Sequence, residues 1–249
     1  MKKPRVCILR TDGTNCDQET SYAFTKAGAV CEYVHVNQLR RGVMMLDDYH
    51  VLVIPGGFSY GDDVVSGKIL AVELLTFLRE QLMRFVVAGK LVIGICNGFQ
   101  VLVRTGLLPF RELGTMPTTL LNNEKGKFQC QWVDLRVSDS SCVFTQGMNG
   151  LMISLPAAHG EGRFFAESLV VDELAFGKHV PLRYVQRFNG SMHDIAGVCD
   201  MTGRVFGLMP HPERFVDSFR HPLWQRMIGE SHGLLMIENG VRFAQHHLV

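Results

Sequence analysis

Cys96 stands in Gly94-Ile95-Cys96-Asn97-Gly98, directly behind the apolar run Leu91 to Ile95 and ahead of Phe99-Gln100. A buried strand that runs into Gly-x-Cys-x-Gly and turns at once into a helix is the cysteine form of a nucleophile elbow. The sharp turn holds the sulfur above the sheet edge. The flanking glycines remove side chains that would strike neighbouring backbone. A helix amino terminus beside the sulfur favours the thiolate, the form that attacks. The plain alternative is a buried cysteine at a tight turn.

A cysteine nucleophile needs a base, and the base needs a group to orient it. Ten histidines are present. His211 is distinctive because it lies in Met209-Pro210-His211-Pro212-Glu213-Arg214, between two prolines that restrict the backbone. Glu213, two residues on, can fold back on the far imidazole nitrogen. Taken alone, His-Pro-Glu is a weak signal and also fits a surface turn. Pro55-Gly56-Gly57-Phe58-Ser59-Tyr60-Gly61-Asp62-Asp63 ends an apolar run, and its paired glycines can present backbone N–H groups to an oxyanion. Pro156-Ala157-Ala158-His159-Gly160-Glu161-Gly162-Arg163 reads as a glycine-rich loop suited to contact with a ligand, with His159 a rival base. A phosphate loop is excluded at Gly61 to Lys68. Five residues separate Gly61 from Gly67, and Ile69 stands where Ser or Thr is required.

The elements that position these residues alternate. Arg5 to Thr11, Val30 to Val36, Tyr49 to Ile54 and Leu91 to Ile95 read as strands. Asp17 to Ala27, Lys68 to Ala88 and Asn97 to Arg104 read as helices, the second as one long helix on apolar spacing. The second half adds strands at Gln131 to Val137, Leu151 to Leu155, Val180 to Gln186, Ile195 to Cys199 and Val205 to Met209. Helices are expected over Leu223 to Ile228 and Leu234 to His246. The expectation is one α/β domain over residues 1–249, with a mostly parallel central sheet flanked by helices and carrying antiparallel additions.

Composition narrows the function classes. Residues are 47% hydrophobic and 20% charged, as in a packed globule, and the net charge of +1 supplies no field for nucleic acid or a membrane surface. The apolar run after the basic start is too short for a secretory signal, and Ile69 to Val87, the longest candidate for a membrane span, is interrupted by four charges. Seven widely spaced cysteines without C-x-x-C argue against a disulfide framework and a zinc site, and fit a reducing cytoplasm. Most of them are expected to be small buried hydrophobes.

Four segments, in order, carry a resemblance: Pro55 to Asp62, Gly94 to Gln100, His159-Gly160-Glu161-Gly162 and Pro210 to Arg214. The chain resembles the class I glutamine amidotransferases, of flavodoxin-like fold, and among them the glutaminase subunits of phosphoribosylformylglycinamidine synthase. Gly13-Thr14-Asn15-Cys16-Asp17 and Asn189-Gly190-Ser191 are similar to the same subunits, whereas Asp12 stands where they usually carry proline. The resemblance implies Cys96 as nucleophile, His211 as acid–base group and Glu213 as its orienting partner. It further implies an oxyanion hole from the amides of Gly57 and Asn97, and glutamine contacts from Gln100, His159, Gly160 and Glu161. No cofactor or metal is implied on this chain. The resemblance implies that ATP and Mg bind on a separate large synthetase subunit, joined through a small bridging subunit, in purine biosynthesis. Two rivals remain: a stand-alone γ-glutamyl hydrolase or peptidase, and a redox sensor, which has no use for a His–Glu pair.

Overall fold

The computed structural model describes residues 2–62, 64–226 and 231–249. Eleven strands are present among them: β1 Arg5–Arg10, β2 Val30–His35, β3 Val51–Ile54, β4 Leu91–Ile95, β5 Thr118–Asn122, β6 Gln129–Val137, β7 Met152–His159, β8 Glu161–Ala166, β9 Leu182–Tyr184, β10 Ile195–Cys199 and β11 Val205–Leu208. The helices are α1 Asp17–Lys26, α2 Val36–Arg40, α3 Lys68–Phe77, α4 Arg79–Val87, α5 Asn97–Thr105, α6 Ser168–Phe176 and α7 His232–His247.

Nine strands form one sheet in the order β2-β1-β3-β4-β11-β10-β9-β6-β7. The pairs from β2 through β11 are parallel, and those from β11 through β7 antiparallel. This is the expected mixed sheet. Every residue of β3, β4 and β11 is buried, which is why these strands read as continuous apolar runs rather than alternations. The register sets Ile54 beside Gly94 and Ile95 beside Leu208. The chain therefore leaves β3, β4 and β11 side by side, at the carboxyl ends where open α/β sheets hold ligands.

Several elements differ from expectation. The long helix over 68–88 is two helices, broken at Leu78, whose φ of −120° and ψ of 7° are not helical. No glycine or proline marks the break, and Leu78 itself is buried in the core. The segment 156–163 is not a loop. β7 runs through Pro156 to His159, and Gly160 alone separates it from β8. β8 leaves the main sheet to pair with β5 as a separate two-stranded sheet. Neither β5 nor β8 is apparent from local pattern, because each is completed by a partner about forty residues away. Helices α2 and α6 are also unanticipated. Of the helix expected over 223–228, residues 223–226 form turns and the rest lies outside the described residues.

Candidate active site

Cys96 caps α5 with φ 52° and ψ −106°, a conformation costly for a residue with a side chain and characteristic of functional elbows. Its glycines are required by close approach. A Cβ on Gly98 would lie 1.9 Å from the Ile54 carbonyl oxygen, and one on Gly94 would lie 2.5 Å from that of Gly98. Strand and helix can therefore pack this tightly only without those side chains. Asn97 is the first residue of α5, so its amide has no acceptor within the helix.

His211 follows β11 and is anchored by its own amide, which donates to the Pro156 carbonyl at 2.8 Å. The short 3-10 turn Pro212–Arg214 then brings Glu213 back, and His211 Nδ1 donates to Glu213 Oε1 at 2.6 Å, with both side chains buried. Nε2 has no hydrogen-bond partner among the described residues. Burial works against charge on this imidazole. The Glu213 carboxylate, foremost among the opposing influences, and the sulfurs of Cys96 and Cys16 together outweigh it, so the pKa stands well above the ordinary value. Both sulfurs are close enough to act on the ring although neither completes an ordinary hydrogen bond to it.

Gly56 shows how tightly these groups converge. A Cβ there would lie 2.9 Å from His211 Cε1, 3.1 Å from Cys16 Sγ and 3.5 Å from Cys96 Cβ. Gly57, at φ +143°, is paired with Thr14 across an isolated bridge. The bonds that stitch this loop to residues 12–16 use the Gly56 carbonyl and the amides of Phe58 and Tyr60, and leave the Gly57 amide out.

Cys96, Gly57, Gln100, His159, Gly160, Glu161 and His211 all line one cavity of about 430 Å³. Asn97 is buried and ties α5 to the 59–62 loop: its side-chain amide donates to Asp62, and its oxygen accepts from the Ser59 amide. Gln100 is already engaged. Its Nε2 donates to the Glu161 carbonyl at 2.6 Å, and its Oε1 accepts from Asn97 at 3.0 Å. Gln100 thus sets the position of the Glu161 segment as well as facing the cavity.

His159 is buried beside His211 but differs in its partner. Asn123 Nδ2 donates to the carbonyls of His159 and Lys127, which leaves Asn123 Oδ1 to accept from His159 Nδ1 at 3.0 Å. Burial, with the neighbouring His211 charge, pushes the His159 pKa down to about 3. It is therefore a neutral imidazole with the proton on Nδ1, poorly suited to the base role left open for it by sequence.

Cys16 and Arg214, which line this cavity, and Asn123, which stands behind His159, carry no role in the sequence reading. Cys16 reads as one more buried cysteine, yet its sulfur accepts from Arg214 Nη2 at 3.1 Å and donates to Asn15 Oδ1 at 3.3 Å. Arg214 also pairs with Glu19 at 3.5 Å. Asn123 sits in Asn122-Asn123-Glu124-Lys125-Gly126, whose composition signals a turn but not an orienting amide. As a donor set for a metal, atoms of Cys16, His211 and Glu213 lie within 4.8 Å of one another.

A strained cysteine at a helix start, a carboxylate-held imidazole beside it and free backbone amides around a shared cavity suit acyl transfer through a thioester. Residues 3–244 match the family described as the CobB/CobQ-like glutamine amidotransferase domain. Phosphoribosylformylglycinamidine synthase subunit PurQ of Dehalococcoides mccartyi is 44% identical, over 98% of this chain and 99% of that one. The subunit PurQ of Methanococcus maripaludis is 42% identical, over 89% and 86%. Among solved structures, that of PurLQS from Thermotoga maritima superposes with a TM-score of 0.80 at 37% identity, covering 97% of this chain and 99% of that one. The chain belongs to the glutamine amidotransferase family and, within it, to the PurQ subunits of phosphoribosylformylglycinamidine synthase.

Proposed function

We infer that the chain hydrolyses glutamine to glutamate and ammonia and delivers the ammonia to a partner synthetase. That synthetase converts formylglycinamide ribonucleotide to formylglycinamidine ribonucleotide with ATP in de novo purine biosynthesis. The observation that carries this reading is the convergence of Cys96 and the His211–Glu213 pair on one cavity. Similarity to PurQ subunits along nearly the whole chain supports the reaction.

Cys96 attacks the side-chain amide carbon of glutamine. The developing oxyanion accepts from the Gly57 and Asn97 amides, where removal of one donor typically costs about 3 kcal/mol. His211 gives its proton to the leaving ammonia and then takes one from the water that hydrolyses the γ-glutamyl thioester. Glu213 keeps Nδ1 protonated, so that Nε2 is the nitrogen that exchanges protons. His159, Gly160 and Glu161 form the wall against which the glutamine lies, and Gln100 holds that wall.

The partners are a large synthetase subunit and a small bridging subunit, a reading supported by the three-component PurLQS structure to which this chain is similar. ATP and Mg bind on the synthetase. The setting is the cytoplasm, where this pathway runs; among the described residues, no helix is long and apolar enough to cross a membrane. The test is the assembled complex carrying Cys96→Ser. Glutamine-dependent amidination should vanish while ammonia-dependent amidination survives. Equal loss of both contradicts the division of labour.

A further inference from the structure

The two oxyanion amides come from different parts of the chain, Gly57 from the loop after β3 and Asn97 from the start of α5. That loop is strained. Beyond Gly57, the residues Tyr60, Gly61 and Asp62 all stand in the left-handed region, with φ of 53°, 69° and 54°. Residues other than glycine hold such a conformation only where their surroundings impose it. Backbone bonds to Asp12 and Gly13 hold Tyr60 and Phe58. One side chain, Asn97, holds Ser59 and Asp62. It is buried and uses its whole amide: Oδ1 accepts from the Ser59 amide at 3.3 Å, and Nδ2 donates to Asp62 Oδ1 at 3.1 Å and to Gln100 Oε1 at 3.0 Å. Asp62 Oδ1 also accepts from the Gly67 amide at 3.2 Å, which ties the start of α3 to the same oxygen. Gln100 continues the line through its bond to the Glu161 carbonyl. Hydrogen bonds thus run without a break from Asp62 through Asn97 and Gln100 to Glu161, and Asp62, Gln100 and Glu161 line the cavity.

We propose, on the glutaminase reading of this site, that Asp62 is a positioning residue: acting through the Asn97 side chain, its carboxylate keeps the loop that carries the Gly57 amide in register with the Asn97 amide. Bond direction fixes the arrangement. The Ser59 amide can only donate, so Asn97 must turn Oδ1 toward it and Nδ2 away. Nδ2 then needs two acceptors, and the Asp62 carboxylate and Gln100 Oε1 supply them. Removing the carboxylate leaves one N–H of a buried amide without its acceptor and frees residues 60–62 to relax. A displacement of about 1 Å at the reacting centre is enough to cost on the order of 100-fold in rate. Asp62 need not touch glutamine for this. Substrate binding stays with the wall from His159 to Glu161, so the effect falls on kcat rather than on KM.

The test is steady-state glutamate release by the assembled complex carrying Asp62→Gly or Asp62→Asn, with kcat and KM separated. Glycine accepts the left-handed backbone and removes only the carboxylate. Asparagine also tolerates that backbone and keeps an acceptor oxygen. Asp62→Gly should lower kcat roughly 10–100-fold at nearly unchanged KM, short of the loss of about 100–1000-fold that follows outright removal of an oxyanion donor. Asp62→Asn should recover most of that loss. Asn97→Ala breaks the same contact from its other end and supplies the reading should Asp62→Gly not fold. The double variant should lose no more than the worse single one, because both changes break one linkage. Full kcat in Asp62→Gly, no recovery in Asp62→Asn, or additive losses in the double variant overturns the proposal. So does a raised KM at unchanged kcat, which would make Asp62 a substrate contact. Failure of the glutaminase reading itself would appear separately, as a wild-type complex that releases no glutamate or a Cys96→Ser complex that still does.

Discussion

Two histidines share one cavity wall and are equally hidden from water, yet their proton inventories are opposite. His211 and His159 both donate from Nδ1 and both leave Nε2 without a protein partner among the described residues. The acceptor differs. On His211 a carboxylate, aided by two nearby sulfurs, outweighs burial and the pKa rises, whereas the amide on His159 leaves burial and a charged neighbour unopposed and the pKa falls to about 3. Burial alone does not tell a proton carrier from a neutral contact. The partner on the far nitrogen does.

Replacing the carrier should have the largest effect. His211→Ala is expected to lower glutamine hydrolysis by roughly 10²–10⁴, the usual contribution of a general acid–base group, as measured by glutamate release in the assembled complex. A smaller loss than that of His159→Gln would reverse the assignment. Glu213→Gln should cost less in rate. It should also lower the His211 pKa, because the attraction that held the proton is gone. In the proposed reaction His211 must carry a proton to give to the leaving ammonia, so the alkaline limb of the pH–rate profile moves to lower pH in this variant. An unmoved limb would mean that Glu213 does not set the charge of His211.

Asn123→Asp sharpens the comparison by giving His159 the kind of partner that His211 has. The His159 pKa should rise from about 3, read by NMR titration of the ring. The variant also loses the amide donor to two carbonyls, at a cost of about 1–3 kcal/mol in stability. The smallest effects are expected from His159→Gln, which should mainly raise KM for glutamine. Because the folded pKa of His159 lies below the unfolded value, the unfolded chain binds the extra proton first. Stability should therefore fall as pH drops from about 6.5 toward 3, and His159→Gln should flatten that part of the unfolding profile. An equally steep acid limb in the variant would place the sensitivity elsewhere.

How far these roles could be read from sequence depended on whether the chemistry was local. Cys96 was legible because its strand, both glycines and its helix lie within fifteen residues. His211 and Glu213 were legible as a pair for the same reason. Their meeting with Cys96 follows from the β4–β11 pairing, over a hundred residues apart in sequence. Asn123 acquires its role only when the end of β5 meets the end of β7, and Cys16 only when the turn after β1 reaches the cavity, so no local pattern marks them. The same limit applies to the elements. Parallel strands buried on both faces announce themselves as apolar runs, but β5 and β8 are short, mixed in polarity and defined by each other. His159 shows the consequence. Read as part of a glycine-rich loop it remained a rival base; placed at the end of β7 against Asn123, it is a neutral wall residue.

In the proposed reaction one sulfur, Cys96, takes up the γ-glutamyl group. It is tested most directly by incubating the wild-type complex with a glutamine-like alkylating analogue and mapping the adduct by mass spectrometry. Two thiols, Cys16 and Cys96, line the same cavity, so the site of labelling discriminates between them. One adduct per chain is expected, on Cys96, with parallel loss of glutamine-dependent but not ammonia-dependent synthesis. Labelling of Cys16 in place of Cys96, or complete inactivation without any adduct on Cys96, would contradict it.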